Sequence, residues 1–224
     1  MKKILFVSVH PDDETLGCGG TIMKLKNLGS SLHWLNLTDI DNDHPFGFSK
    51  ETIVKRQSTT IQVKNTYGFD TFTNLKYHTM LLDKYNASEL IKDIGQVITN
   101  IEPDTIYLTN RSDVHSDHRI AFDAVYACTK SFRYPYVKDI LMYETLSETE
   151  FAPALVEKAF IPNMFVDISD FMEDKIRIMQ IYDTEIMPDP MPRSIHAIKG
   201  LAAYRGSRIG VSYAEAFQQI YRVI

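Results

Sequence analysis

Cysteine is nearly missing from this 224-residue chain: there are two, Cys18 and Cys128, far apart in sequence. They build no disulfide framework, and no CxxC pair offers a thiolate metal site. Free thiols fit a reducing compartment, so the chain is expected in the cytoplasm. Long apolar runs are missing too. No stretch approaches the ~18 apolar residues that a membrane span needs. The first segment, MKKILFVSVHPDDE, carries two lysines and an apolar run. That run is shorter than the core of a signal peptide, no small-residue cleavage site follows, and it reads as a buried strand. Positive charge is not in excess: 24 Lys and Arg stand against 29 Asp and Glu, a net charge of −5. A nucleic-acid binder would carry a concentrated basic face, so no nucleic-acid partner is expected. Repeats, low-complexity tracts and a convincing linker are absent. One domain over residues 1–224 is therefore expected, with a sizeable core. Nothing fixes the oligomeric state, and a homo-oligomer is compatible with the sequence.

What is present begins with residues 3–9, a continuous apolar run with the pattern of a central parallel strand. LGCGG follows as a glycine-rich turn, then a helix over 21–27 that stops at Gly29. Further strands are expected at 31–38, 72–78, 104–109 and 139–145. Helices are expected at 50–67, 87–101 and 119–130. The alternation predicts right-handed βαβ units. The fold class is α/β: a Rossmann-like, mostly parallel sheet with helices on both faces. Farther on, the pattern predicts a short strand at 165–168 and a helix over 169–184 with Ser169 as N-cap. Three prolines in MPDPMPR, residues 187–193, force a loop. Two helices, at 194–204 and 212–221, are expected to close the chain.

Two clusters carry chemistry. The first, VHPDDETLGCGG at 9–20, puts His10, Asp12 and Asp13 at the carboxyl end of the first strand. Open α/β sheets bind ligands there. Three ionisable groups in four residues beside a core are costly unless something compensates. A divalent cation would: imidazole and carboxylate are zinc ligands, and of two adjacent carboxylates one can bind metal while the other moves protons. A solvated turn, with the aspartates capping the next helix, accounts for the same residues. The second cluster, NRSDVHSDHR at 110–119, also follows an expected strand. It holds His115 and His118, three apart, with Asp113 and Asp117. A polar loop with Asp117 as N-cap is the plain alternative. Taken together, the clusters sit on strand ends of one sheet and offer at least three ligands with an open position, the pattern of a catalytic zinc site.

HPDDE with LGCGGT after it, and D-x-H-x-D-H at 113–118, resemble the PIG-L/LmbE-like family of zinc-dependent N-deacetylases. Those enzymes act on N-acetylglucosaminyl groups and related sugar amides. The resemblance runs nearly end to end. It takes in Arg56, Tyr143-Glu144, Pro162 with FVDIS at 165–169, Lys175, and RG…G…YAEAF near the C-terminus. It implies His10, Asp13 and His118 as ligands of Zn2+, although Fe2+ or another divalent ion suits the same donors. It implies Asp12 as general base, His115 as a protonated imidazole assisting electrostatically, and Arg56 as a substrate-binding residue. The acidic residue expected after that arginine is missing: Gln57-Ser58-Thr59 follow it. The implied reaction is hydrolysis of the N-acetyl group of a small-molecule amino sugar or sugar conjugate, giving acetate and a free amine.

Two other readings compete. A metal-dependent phosphoester hydrolase usually wants two metals and more ligands than can be counted here. A non-catalytic nucleotide- or sugar-binding Rossmann-like domain has no use for Asp12 beside an open three-ligand set. The GxGG at 17–20 matches a dinucleotide loop weakly, and the acids before it would repel a pyrophosphate. Close packing of the helix on the strand explains it better. His44, in the 40–49 loop, is weighed as a substrate contact. His196, after the proline loop, and Glu215, on the last expected helix, are read as structural.

Overall fold

A computed structural model describes residues 2–224. Seven strands form one sheet in the order β3-β2-β1-β4-β5-β7-β6. They are β1 (Lys3–Ser8), β2 (Ser31–Asp39), β3 (Thr71–His78), β4 (Thr105–Thr109), β5 (Asp139–Tyr143), β6 (Met164–Asp167) and β7 (Ala214–Arg222). The first five pair in parallel. β7 runs antiparallel between β5 and β6. Six helices accompany them: α1 (Asp13–Asn27), α2 (Lys50–Tyr67), α3 (Ala87–Ile101), α4 (Ser116–Ala127), α5 (Met172–Met179) and α6 (Ile195–Ser207).

Side chains alternate across β1 and divide the core between the two faces. Ile4 and Phe6 join the cluster under α1, α2, α5 and α6. Leu5, Val7 and Val9 join the one under α3 and α4. The predicted helices on both faces are thus observed. Caps set several helix ends. Ser49 accepts from the Thr52 amide at the start of α2, and Gly68, at φ 68°, ends it. Ser194 accepts from the Ala197 amide and opens α6.

Three expectations need correction. LGCGG is no turn; it lies inside α1, which begins at Asp13. A Cβ at Gly17 would overlap the Tyr143 ring, and one at Gly20 would come within 2.6 Å of Ile168. The glycines serve close packing, not a bend. The helix expected at 169–184 is only α5, preceded by a 3-10 turn at Ser169–Phe171. Ser169 does not cap it, because its hydroxyl donates to Asp167 at 2.7 Å. The helix expected at 212–221 is β7. Alanine, glutamate and glutamine there favour helix, but tertiary bonds override the preference. The Glu215 carboxylate accepts from the Gly20 and Thr21 amides at 2.9 and 2.8 Å, and from the Lys175 ammonium at 2.7 Å. Lys175 also donates to the Leu16 carbonyl at 2.7 Å. A regular helix would join Leu16 carbonyl to Gly20 amide; each is met here by one member of a buried ion pair. No helix among the described residues is long and apolar enough to cross a membrane.

Candidate metal centre

β1 and β4 are neighbours, and the chain leaves them toward opposite faces, into α1 and α4. Their carboxyl ends open the crevice where doubly wound sheets bind ligands. The first segment delivers His10, Asp12 and Asp13; the second delivers Asp113, His115, Asp117 and His118. His10 Nδ1 lies 3.3 Å from His118 Nε2. His118 Nε2 lies 3.4 Å from Asp13 Oδ1. Tetrahedral ligands at ~2.0–2.1 Å from zinc stand roughly 3.3 Å from one another; the two separations from His118 match that, and the third side is wider, His10 Nδ1 standing 4.0 Å from Asp13 Oδ2, with all three donors close enough to share one ion. Each donor's other atom is already engaged. Asp13 Oδ2 accepts from the Val9 and His10 amides at 2.9 and 2.8 Å. His118 Nδ1 meets Asp113 Oδ2 at 2.8 Å. His10 Nε2 meets Asp117 Oδ2 at 3.3 Å. Both imidazoles are therefore oriented by a carboxylate, the usual arrangement behind metal-bound histidine.

A second grouping, His10, His115 and Asp117, also brings ligand atoms together. Its carboxylate is already engaged at both oxygens, and the His115 ring at Nδ1. The Asp117 carboxylate accepts from the Met80 and Leu82 amides at 2.6 and 3.1 Å. His115 Nδ1 accepts from the Asp117 amide at 3.1 Å. The first grouping is the better fit.

Electrostatics separates the histidines. Burial lowers the His118 pKa, but Asp13 and Asp113 outweigh it and raise it to about 9. Burial lowers His10. Burial, then the neighbouring His10, pushes His115 down to about 4. The expected protonated His115 is thus disfavoured. An amide can only donate, so Nδ1 is the acceptor and a neutral ring carries its proton on Nε2.

Asp12 stands out on its backbone: φ is 128°, a conformation that L residues rarely adopt. Such strain costs about 1–3 kcal/mol and collects at functional sites. Buried Glu14 helps hold it, accepting from the Asp12 amide at 3.2 Å, from Thr15 at 2.7 Å and from Tyr182 at 2.8 Å. Burial raises the Asp12 pKa well above the usual carboxylate range, helped by Asp13 and Glu185 and opposed by Arg193. Arg193 Nη1 lies 3.4 Å from Asp12 Oδ2 and 3.2 Å from Glu185 Oε2.

Arg56 reaches the same cleft from α2. Its Nε lies 3.6 Å from Asp39 Oδ1. His44 is not a cleft residue. It is buried, with Nε2 3.0 Å from the Thr79 carbonyl and Nδ1 accepting from the Phe46 amide. Ile40 and Phe48 of that loop do line the cleft. His196 lies exposed on α6. Sequence reasoning missed Asp113 and Asp117 as orienting carboxylates, although their alternation with the histidines was the signal. Arg193 gave none, because a proline loop has no periodicity to place a side chain.

The PIG-L family model, described as GlcNAc-PI de-N-acetylase, matches residues 5–129, which contain both clusters. A diacetylchitobiose deacetylase from Thermococcus kodakarensis is 27% identical over 97% of this chain and 83% of its own length. An uncharacterized deacetylase from Escherichia coli is 27% identical over 70% of this chain and 81% of its own. A conserved protein from Thermus thermophilus superimposes with a TM-score of 0.78 at 25% identity, covering 100% of this chain and 97% of that one.

Proposed function

The chain belongs to the PIG-L (GlcNAc-PI de-N-acetylase) family, and from that premise we propose that it is a metal-dependent hydrolase removing the N-acetyl group of an amino sugar or sugar conjugate. The observation that carries this reading is the His10–Asp13–His118 triangle, with strained Asp12 beside it. The Thermococcus kodakarensis and Escherichia coli relatives both carry the name deacetylase, which supports it. His10, Asp13 and His118 would hold the ion. Two imidazoles and a carboxylate suit Zn2+, and Fe2+ as well. Such an ion, when bound, acidifies water and polarises an amide carbonyl.

The protein's own groups supply the rest. Asp12 takes the proton from the attacking water and returns it to the departing amine. Its raised pKa makes it a stronger base than an ordinary aspartate. Arg193 keeps its carboxylate from drifting. His115 donates its Nε2 proton to the developing oxyanion, as a neutral hydrogen-bond donor. Arg56 binds the sugar. Products are acetate and a free amine.

The test is to incubate the metal-loaded protein with a panel of N-acetylated sugars, following acetate and primary amine. Release of both from at least one member is expected. Silence across the panel sinks the reading. Asp12→Asn should lower turnover by roughly 10²–10⁴-fold with the metal retained; near-normal turnover would remove Asp12 from the role of base.

A further inference from the structure

The 40–49 loop buries a histidine that has no part in the chemistry above. His44 is almost fully enclosed, and both of its ring nitrogens are engaged. Nδ1 faces the Phe46 amide at 3.3 Å. An amide only donates, so Nδ1 accepts and the neutral ring carries its proton on Nε2. That proton goes to the carbonyl of Thr79, also buried, 3.0 Å away.

Thr79 lies in a turn at the end of β3. The Leu81 amide donates to the His78 carbonyl at 3.3 Å and closes it. Of the two central residues, Met80 alone has a positive φ, 63°. That combination marks a type II turn, which favours glycine or asparagine where methionine stands here. A methionine in the left-handed region is strained. A type I turn would relieve it, and the two types differ by a flip of the peptide joining the central residues. Here that peptide is Thr79–Met80.

What prevents the flip stands at the two ends of the peptide. A trans peptide is planar, so its carbonyl and its amide point in opposite directions. The Thr79 carbonyl points to His44 Nε2, and the Met80 amide points to Asp117 Oδ2 at 2.6 Å. Turning the unit over would break both bonds and aim a carbonyl at a carboxylate. Asp117 Oδ2 in turn lies 3.3 Å from His10 Nε2, behind a ring that would bind the metal. One line of contacts therefore runs from His44, through a single peptide, to Asp117 and His10. Carboxylates in that place set the orientation and basicity of a metal-bound imidazole.

We propose that His44 is a positioning residue: it fixes the Thr79–Met80 peptide so that the Met80 amide holds Asp117 against His10. This rests on the metal centre of the deacetylase reading and concerns the protein's grip on the ion, not its substrate. The two ring nitrogens can be tested apart. His44→Gln sets an amide nitrogen near the place of Nε2 and keeps the donor. His44→Asn reaches only as far as Nδ1 and loses it. Zn2+ affinity is measured by chelator competition, and the metal-free thermal midpoint is recorded for each variant. His44→Asn should weaken Zn2+ binding about tenfold, and His44→Gln by less than about twofold. A histidine that only packs its own loop, through Phe46, gives the reverse order or no change in either. Both results overturn the proposal, and so does an equal loss in the two. Should a variant fail to fold, hydrogen exchange in the wild type decides, because coupling between two sites is reciprocal. Zn2+ loading should slow exchange of the Met80 amide and the His44 Nε2 proton more than that of the β6 amides. Equal effects on all of them overturn the proposal. Zn2+ binding with this pattern but without acetate release would refute the deacetylase reading and leave the role of His44 standing.

Discussion

His118 carries a proton that a metal must displace. Its imidazole, at about 9 in the metal-free protein, coordinates only when neutral. Metal affinity should therefore rise roughly tenfold per pH unit and level off near pH 9. The metal-free fold runs the other way. A histidine raised above 6.5 stabilises the protein fully below that pH and loses the contribution as pH climbs through about 9. The gap in melting temperature between loaded and metal-free protein should thus widen from pH 6.5 to 9. A constant gap, measured by calorimetry, would show that His118 is not a ligand. Asp113→Asn replaces the carboxylate behind that ring with an amide and should weaken metal binding about 10–100-fold in a chelator competition. At this scale the sequence already placed His10, Asp12, Asp13 and His118 at one sheet edge, because the motifs follow apolar strands directly. It did not give His115 its charge. That depends on burial and on His10, a neighbour more than a hundred residues away in sequence.

Helix α1 is shaped by what it touches more than by its own preferences. Ala normally gains about 1 kcal/mol over Gly inside a helix. At Gly20 that gain meets a Cβ 2.6 Å from buried Ile168, and overpacking costs about 1–3 kcal/mol. Gly20→Ala should therefore destabilise. Gly200→Ala, in α6 with nothing within 4 Å, should stabilise by about 0.5–1 kcal/mol. Urea denaturation of the pair checks the signs; two stabilising shifts would show that local propensity rules both helices. The same contrast explains which elements were legible. β1, β2 and α3 carry their pattern within themselves, and α2 carries its stops, Ser49 and Gly68. The GCGG stretch and 214–222 do not. Their conformations are chosen by Tyr143, Ile168 and Lys175, which a local pattern cannot see.

Across the whole molecule, the two halves of the sheet have different jobs. β3-β2-β1-β4-β5 is the doubly wound part, and its reversal between β1 and β4 makes the crevice. The β7-β6 extension braces it through Lys175 and Glu215. Both are buried, so Lys175→Met leaves a carboxylate without its cation. That should cost about 3–5 kcal/mol in a denaturant titration; a loss near zero would mean that the two α1 amides suffice for Glu215. The position of β7 has one more consequence. It comes late in sequence yet lies inside the sheet, and β6 is joined to the rest only through it. During synthesis, a chain that has reached α5 has made Lys175 but not Glu215, and β6 but not its partner. The ribosome must finish residues 214–222 before the sheet can close. Until then the nascent chain presents the outer edge of β5 unpaired, an open template for pairing with another chain.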